Sequence, residues 1–337
     1  MGGGIVYEVA TPAPRPSGAA NPGGRRLYNR RGLTPFHPAT ARGAAEPRPS
    51  ESGQMMHDFL ICVDSDGSAF DTMEVKHKQC FIPNTIRCWG LEPVASCARS
   101  AAEFVNLYSR DRGLNRFPAL VRTFDLLRQW PEARNGSAAI PEVESLRAWI
   151  ARETRLGTPA LSAEVERTGD AVLSRALEWT EAVNRSVAKI VHTVPPFPFV
   201  RESLQAVVSW ADVVVCSAEP RGLLEREWEA HGLAAFTAGI AGQEIGSKPE
   251  QIRSAMAAGY DPGKVLMIGD APGDLRAARA AGARFFPIEA GAEQASWEEF
   301  LRGAASRFRD GDYSDSEEAA RIGRFERRLP ETPWWTQ

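Results

Sequence analysis

The stretch Phe59-Leu60-Ile61-Cys62-Val63-Asp64-Ser65-Asp66-Gly67-Ser68 carries the first decision about the fold. Its opening five residues are an apolar run with the length and β-branched content of a buried strand. Two carboxylates, Asp64 and Asp66, stand where that strand ends, and Gly67 permits a sharp turn with backbone close to a ligand. In α/β sheets, strand ends of this kind face the crevice where ligands bind. Taken alone the pattern leaves alternatives open, because Asp-x-Asp-Gly also suits a surface turn or a calcium loop.

Downstream, from Pro195-Pro196-Phe197-Pro198 onward, helix and strand patterns alternate. Val200, Leu204, Val207 and Val208 share a helix face, and Asp212 to Cys216 reads as a buried strand ending at Ser217. A helix follows around Leu223 to Trp228, with a weaker strand signal over Phe236 to Ile240. Ser247-Lys248-Pro249-Glu250 has capping-box form and opens a helix through Met256. Val265-Leu266-Met267-Ile268 is another buried strand, ending at Gly269-Asp270. A helix is expected from Asp274 to Ala281, stopping at Gly282, and a last strand over Arg284 to Ile288. This succession predicts a parallel, Rossmann-like α/β sheet.

Between the two parts the pattern is helical. Val94, Ala98, Ala101, Ala102, Val105 and Tyr108 share one face, as do Leu120, Phe124 and Leu127. Leu173, Ala176, Leu177, Thr180, Val183, Val187 and Ile190 make a third stripe. These stripes read as core. The expected organisation is an α/β core of residues 56–71 and 196–290, an all-α insertion of residues 72–195, a C-terminal helical extension of residues 291–337, and a tail of residues 1–55. An insertion leaving right after the two aspartates would sit over the strand tips, as a lid requires. Past 290, Trp297, Phe300, Leu301, Ala304 and Phe308 predict an amphipathic helix, and Ile322, Phe325 and Leu329 a second. These would pack on the core or mediate self-association, with help from Trp334-Trp335, so a homo-oligomer stays open.

Composition narrows the classes. The first 54 residues are rich in Gly, Pro, Ala and Arg and cannot build a core, so a disordered tail is expected, or a start assigned too early with Met55 or Met56 serving. No secretory signal pattern opens the chain, and Val6 stands where myristoylation wants Ser or Thr. A hydrophobic fraction of 43%, a charged fraction of 25% and a net charge of −3 are those of an ordinary globular protein. They give no reason to expect nucleic acid or an anionic membrane as partner, and no apolar run is long enough to span a bilayer. Five cysteines without Cys-x-x-Cys spacing suggest reduced thiols and a cytoplasmic protein.

Four polar clusters thus stand at strand ends or helix starts: Asp64 with Asp66, Ser217, Lys248, and Asp270 with Asp274. Two or three carboxylates at one point can hold Mg²⁺, a lysine in a first helical turn adds a fixed charge beside the helix N-terminus, and a serine hydroxyl can donate to a phosphoryl oxygen. Phosphoryl transfer needs this positioning and charge neutralisation.

On these residues the chain resembles the haloacid dehalogenase-like superfamily, in its phosphatase branch. The first motif is matched by Asp64-Ser65-Asp66-Gly67-Ser68, and the second by Ser217 after Val213-Val214-Val215-Cys216. Lys248-Pro249 matches the third, and Gly269-Asp270-Ala271-Pro272-Gly273-Asp274 the fourth. The resemblance covers about residues 57–290 and includes a helical cap after the first motif. It implies that Asp64 is the nucleophile, forming an aspartyl-phosphate, and that Asp66 is the general acid and base. It implies Mg²⁺ held among Asp64, Asp66 (through its backbone carbonyl), Asp270 and Asp274, and phosphate held by Ser217 and Lys248. The substrate class it implies is a small phosphorylated metabolite. Asp66 disfavours the dehalogenases, which generally lack that second aspartate and need no Mg²⁺. Phosphomutases keep both aspartates and remain an alternative, as does a non-catalytic binding protein. In the insertion, Arg112, Asn115 and Arg116 of the loop from Ser109 are candidates for reaching an anionic substrate, alongside His77, Lys78 and His192.

Overall fold

The structure is a computed structural model that describes residues 57–135, 139–190 and 194–336. The expected tail of residues 1–55 and His192 lie outside the described residues. Five parallel strands, β1 (Phe59–Val63), β2 (Ala211–Cys216), β3 (Gly239–Ala241), β4 (Val265–Gly269) and β5 (Arg284–Pro287), form one sheet in the order β3-β2-β1-β4-β5. The predicted α/β class is therefore the observed one.

β1 lies at the centre because both its faces are apolar. Ile61 pairs with Val213 on one side and Leu266 on the other. Strand alternation sends Ile61 and Val63 to one face, against Val200 and Leu204 of helix α9 (Val200–Val207) and Leu224 and Trp228 of α10 (Arg221–Ala230). Leu60 and Cys62 go to the other face, against Ile252 of α11 (Lys248–Met256) and Leu275 and Ala278 of α12 (Pro272–Ala281). A strand buried on both faces needs an unbroken apolar run, as found here. Because β2 and β4 flank β1 on opposite sides, the loops after these strands diverge above it and open a crevice at their C-terminal ends.

Among the described residues, the stretch between β1 and α9 is helical: α1 (Thr72–Lys76), α2 (Ile82–Trp89), α3 (Ala95–Leu107), α4 (Arg116–Gln129), α5 (Pro131–Asn135), α6 (Glu144–Arg152), α7 (Thr158–Thr168) and α8 (Ala171–Val187). The helices bury a core of their own, in which Trp89, Phe117, Phe124, Trp149 and Trp179 are prominent. The stripe residues Ala98, Ala101, Val105, Leu120, Phe124, Leu173, Ala176 and Val183 all belong to it.

Three local expectations are corrected. The strand anticipated over Phe236 to Ile240 begins only at Gly239, since Ala234–Phe236 is a 3₁₀ turn whose Phe236 ring lies under the Arg201 guanidinium. The helix anticipated from Asp274 starts at Pro272, a residue suited to a first turn because it lacks the N–H that would be orphaned there. The helix anticipated from Trp297 to Phe308 is interrupted by a π-turn over Phe300–Ala304, between α13 (Glu293–Glu299) and α14 (Ala305–Asp310).

The C-terminal extension behaves in two ways. Ile322 of α15 (Asp315–Arg328) packs on the sheet core and Phe325 against Phe285 of β5. Beyond it the chain crosses to the helical module, where Trp335 stacks on Trp130 at 4.1 Å and meets Phe104 edge-on. Arg110 N–H donates to the Pro330 carbonyl at 3.3 Å. No helix of the described residues is long and apolar enough to cross a membrane.

Candidate active site

The carboxylates of Asp64, Asp270 and Asp274 converge at the tips of β1 and β4, with one oxygen from each within 4.8 Å of the others. All three are buried. Lys248, at the start of α11, reaches them from the tip of β3: its Nζ lies 2.8 Å from Asp64 Oδ2 and also donates to Asp274 Oδ1. Asp274 is anchored further by the backbone N–H groups of Asp270 and Ala271, which donate to its Oδ2 at 3.1 and 3.0 Å. The Ser247 N–H donates to Glu250 Oε2 at 2.7 Å, which fixes the first turn that carries Lys248.

Gly67 makes the convergence sterically feasible. Its φ is +81°, and a Cβ there would stand 2.5 Å from Asp270 Oδ2 and 2.8 Å from Arg112 Nη2. Both the backbone angle and the space exclude a side chain.

Arg112 enters this cluster from the α3–α4 loop. Its Nε donates to Asp270 Oδ2 at 2.7 Å and its Nη1 to the Leu107 carbonyl at 2.9 Å, with side chains 2% and 1% exposed for Arg112 and Asp270. The arginine expected to face a substrate is thus committed to a site carboxylate. Three carboxylates face two cations, and the imbalance shows in their acidities. Burial pushes Asp64 well above the usual range, with Lys248 opposing and the charges of Asp274 and Asp270 adding to the rise. Burial likewise raises Asp270 to about 6 against the pull of Arg112.

These residues fit a hard divalent cation. Asp270 Oδ1 is buried with no hydrogen-bond partner among the described residues, an orphan acceptor of the kind a cation satisfies, and the remaining donor set is carboxylate oxygen. Asp64, Asp270 and Asp274 could hold it. The Asp66 carboxylate is not part of this group. It points instead to Lys76 of α1, whose Nζ lies 3.1 Å from Asp66 Oδ2 and 3.1 Å from Glu219 Oε1. Burial raises the Asp66 carboxyl, but the Lys76 ammonium and the Thr72 side chain, with smaller contributions beside them, together offset this and leave it below the ordinary value. Asp66 Oδ1 has no hydrogen-bond partner among the described residues.

Ser217 is buried at the tip of β2, where its Oγ accepts from the Glu219 N–H at 3.2 Å. Gln251 of α11, wholly buried, ties the surrounding loops by donating to the carbonyls of Ser217, Gly242 and Gly246 at 2.9, 3.1 and 3.0 Å. Lys76, Glu219, Glu227 and Gln251 escaped the sequence reading. Each is an isolated polar residue on a helix or loop, and no spacing distinguishes it from a solvated one.

Below Lys76, Glu227 of α10 is buried, with Ser65 Oγ donating to its Oε2 at 3.2 Å and Oε1 unpartnered among the described residues. Burial raises its pKa to about 7, Lys76 opposing and the Asp66 charge adding. A carboxyl raised in the folded state stabilises at pH below its unfolded value, and that contribution is lost as pH rises through about 7. Glu227→Gln should remove this loss. The melting temperature of the variant relative to wild type is therefore expected to climb between about pH 5 and pH 8. A difference that stays flat over that range would show Glu227 to be compensated in another way.

Above the strand tips, a cavity of about 720 Å³ separates the site from the helical module. Asp64, Asp66, Lys76, Ser217, Lys248 and Asp270 line its floor, and Phe81, Arg116, Asn184 and Leu114 belong to the module side. His77 also lines it, stacked on Phe81 at 4.6 Å and kept neutral by burial, which lowers its pKa to about 3. Lys78 is turned away to Tyr108 and Glu74, and Asn115 caps α4 by accepting from the Phe117 N–H.

A doubly wound sheet with an acidic, cation-bridged crevice at its carboxyl edge is an α/β enzyme site. Residues 162–288 match the family model described as haloacid dehalogenase-like hydrolase, a stretch that contains Ser217, Lys248, Asp270 and Asp274 and begins well after Asp64 and Asp66. Over that stretch, a little over a third of the chain, the protein is similar to the haloacid dehalogenase-like hydrolases. Among solved structures it is similar to a haloacid dehalogenase-like family hydrolase from Streptococcus pneumoniae, at 14% identity over 74% of this chain and 97% of the other, with a TM-score of 0.42. It is also similar to a subfamily IA hydrolase from Geobacter sulfurreducens (14% identity, 68% and 86% covered, TM-score 0.38). A third is a haloacid dehalogenase-like family hydrolase from Xanthomonas campestris (14%, 69% and 84%, 0.38). No curated protein matches the chain.

Proposed function

We propose that the protein is a Mg²⁺-dependent phosphatase that cleaves a small phosphate monoester through an aspartyl-phosphate on Asp64, with the helical module acting as its cap. The observation that carries this reading is the convergence of Asp64, Asp270, Asp274 and Lys248 at the strand tips, with Asp66 standing outside that cluster on the same cavity. Asp66 takes up a proton as the dianionic substrate adds its negative charge to the cavity; Asp64 then attacks phosphorus, the P–O ester bond breaks, and the leaving oxygen departs as the alcohol with that proton from Asp66. Asp66, now a carboxylate, takes a proton from water as that water attacks phosphorus. Inorganic phosphate leaves and Asp64 is regenerated. Lys248 and the Ser217 hydroxyl hold the phosphoryl oxygens, with the α11 N-terminus contributing its dipole. Mg²⁺, which Asp64, Asp270 and Asp274 could hold together with the Asp66 backbone carbonyl, would supply charge neutralisation for the dianion and the attacking carboxylate. The Asp66 carboxylate, paired with Lys76, moves protons rather than binding metal. A small phosphorylated metabolite and a cytoplasmic setting belong to the same proposal, the second supported by five free cysteines.

The test is release of inorganic phosphate from 4-nitrophenyl phosphate. Turnover is expected with Mg²⁺ and is expected to fall to background with EDTA. Turnover indifferent to EDTA would remove the metal from the scheme, and absence of phosphate release from every monoester in a metabolite panel would remove the phosphatase. Phosphate moved within a sugar rather than released to water would make the enzyme a mutase.

A further inference from the structure

Arg116 is the cation of the cavity with which no carboxylate of the described residues forms an ion pair. The two other cations lining it are paired, Lys76 with Asp66 and Glu219, and Lys248 with Asp64 and Asp274. Arg116 makes no ion pair among the described residues. Its Nη1 donates to two neutral groups on α8, Thr180 Oγ1 at 2.8 Å and Asn184 Oδ1 at 2.6 Å, and its guanidinium carbon lies 5.0 Å from the Phe81 ring centroid. Phe81 is backed in turn by His77, which is itself buried, lines the cavity, and has no hydrogen-bond partner at Nδ1 among the described residues.

This arrangement is costly for the protein alone. A guanidinium taken partly out of water without a counter-charge is unfavourable, and burial lowers the pKa of Arg116 accordingly, Glu219 opposing. The first position of α4 offers a cation nothing, because the helix dipole there is positive. Yet α8 and Phe81 hold the fork in place, leaving its remaining N–H groups without partners among the described residues. A planar fork held in this way suits two oxygens of a carboxylate or phosphate.

We propose that the cavity accepts a phosphate monoester whose organic part carries a second anionic group, carboxylate or phosphate, and that Arg116 binds that group. The proposal rests on the phosphatase reading, which puts the phosphoryl group at Asp64 and Lys248 and so turns the organic part toward the module. Arg116 then selects substrates and takes no part in the chemistry.

The test uses phosphonates, which cannot be hydrolysed, and the full chain with Mg²⁺ in a titration calorimeter. Linear alkylphosphonates with a methyl end are compared with those ending in carboxylate and in a second phosphonate, over a series of chain lengths. Wild type is expected to bind one or both anion-ended ligands at least about tenfold more tightly than the methyl-ended ligand at the length that spans the cavity. The two anionic arms decide between carboxylate and phosphate. Arg116→Gln should bring the ratio near one. Arg116→Lys, which keeps the charge without the fork, should lower it several-fold and carries the comparison if Arg116→Gln does not fold. A ratio near one in wild type at every length, or a preference that survives both substitutions, overturns the proposal and leaves Arg116 a structural tie between α4 and α8. Turnover of 4-nitrophenyl phosphate is followed in parallel. A protein that hydrolyses it without preferring anion-ended ligands keeps the phosphatase reading and loses this one, whereas a preference without turnover does the reverse.

Discussion

Asp64→Asn is expected to reduce hydrolysis of a generic aryl phosphate by roughly 10⁴-fold or more, because in the proposed mechanism it exchanges the attacking carboxylate for a non-nucleophilic amide, and the neighbouring carboxylates are already held by cations. Asp66 is paired with Lys76, Asp270 with Arg112, and Asp274 with Lys248. The same substitution should leave the fold intact. In the metal-free protein it should even raise the melting temperature slightly. Burial and the charges of Asp274 and Asp270 disfavour the ionised Asp64, and the amide is isosteric while carrying no charge. Melting curves and steady-state rates on the same preparation separate these effects. Turnover within tenfold of wild type in a well-folded Asp64→Asn protein would sink the nucleophile assignment.

The second large effect is expected from Arg112→Met, and it concerns stability before activity. Arg112 and Asp270 form a hydrogen-bonded ion pair with almost no exposure. Removing one partner of such a pair strands the other charge, typically at a cost of about 3–5 kcal/mol. The metal-free variant should therefore melt well below wild type. A divalent cation at Asp270 restores the missing positive charge, so the gap should narrow when Mg²⁺ is added, and the variant should bind Mg²⁺ more tightly because a competing cation is gone. A gap unchanged by Mg²⁺ would mean that Arg112 matters for packing and for its bond to the Leu107 carbonyl, not for the charge of Asp270.

The residues that the sequence picked out and those it passed over differ in one respect. Asp64, Ser217, Lys248, Asp270 and Asp274 each sit at the junction of a strongly patterned element and a turn. An unbroken apolar run such as Val213 to Cys216 announces a buried strand, and whatever polar residue ends it inherits the crevice. The insertion has no such punctuation. Its apolar stripes foretold which helix faces are buried, but its polar residues stand on surfaces that sequence cannot distinguish. Arg112 and Arg116 illustrate this. Four residues apart in one loop-to-helix segment, they were equal candidates for a substrate. In the fold one is spent on Asp270 while the other has no ion pair among the described residues.

The sequence by itself determined the sheet, because two-sided burial of parallel strands demands a continuous apolar run and strand-end chemistry follows from its position. It also determined that two aspartates stand together at the tip of β1, since adjacent chain positions need no folding to be near one another. Only the tertiary structure decided that those aspartates part company. Asp64 turns toward Lys248 and the other carboxylates, and Asp66 toward Lys76. Only the structure, too, set Glu227 beneath that pair and Trp335 against Trp130 across the molecule. The physical reason is range. Local patterns report burial and turns, whereas the charge that answers a buried carboxylate comes from wherever the folded chain happens to pass.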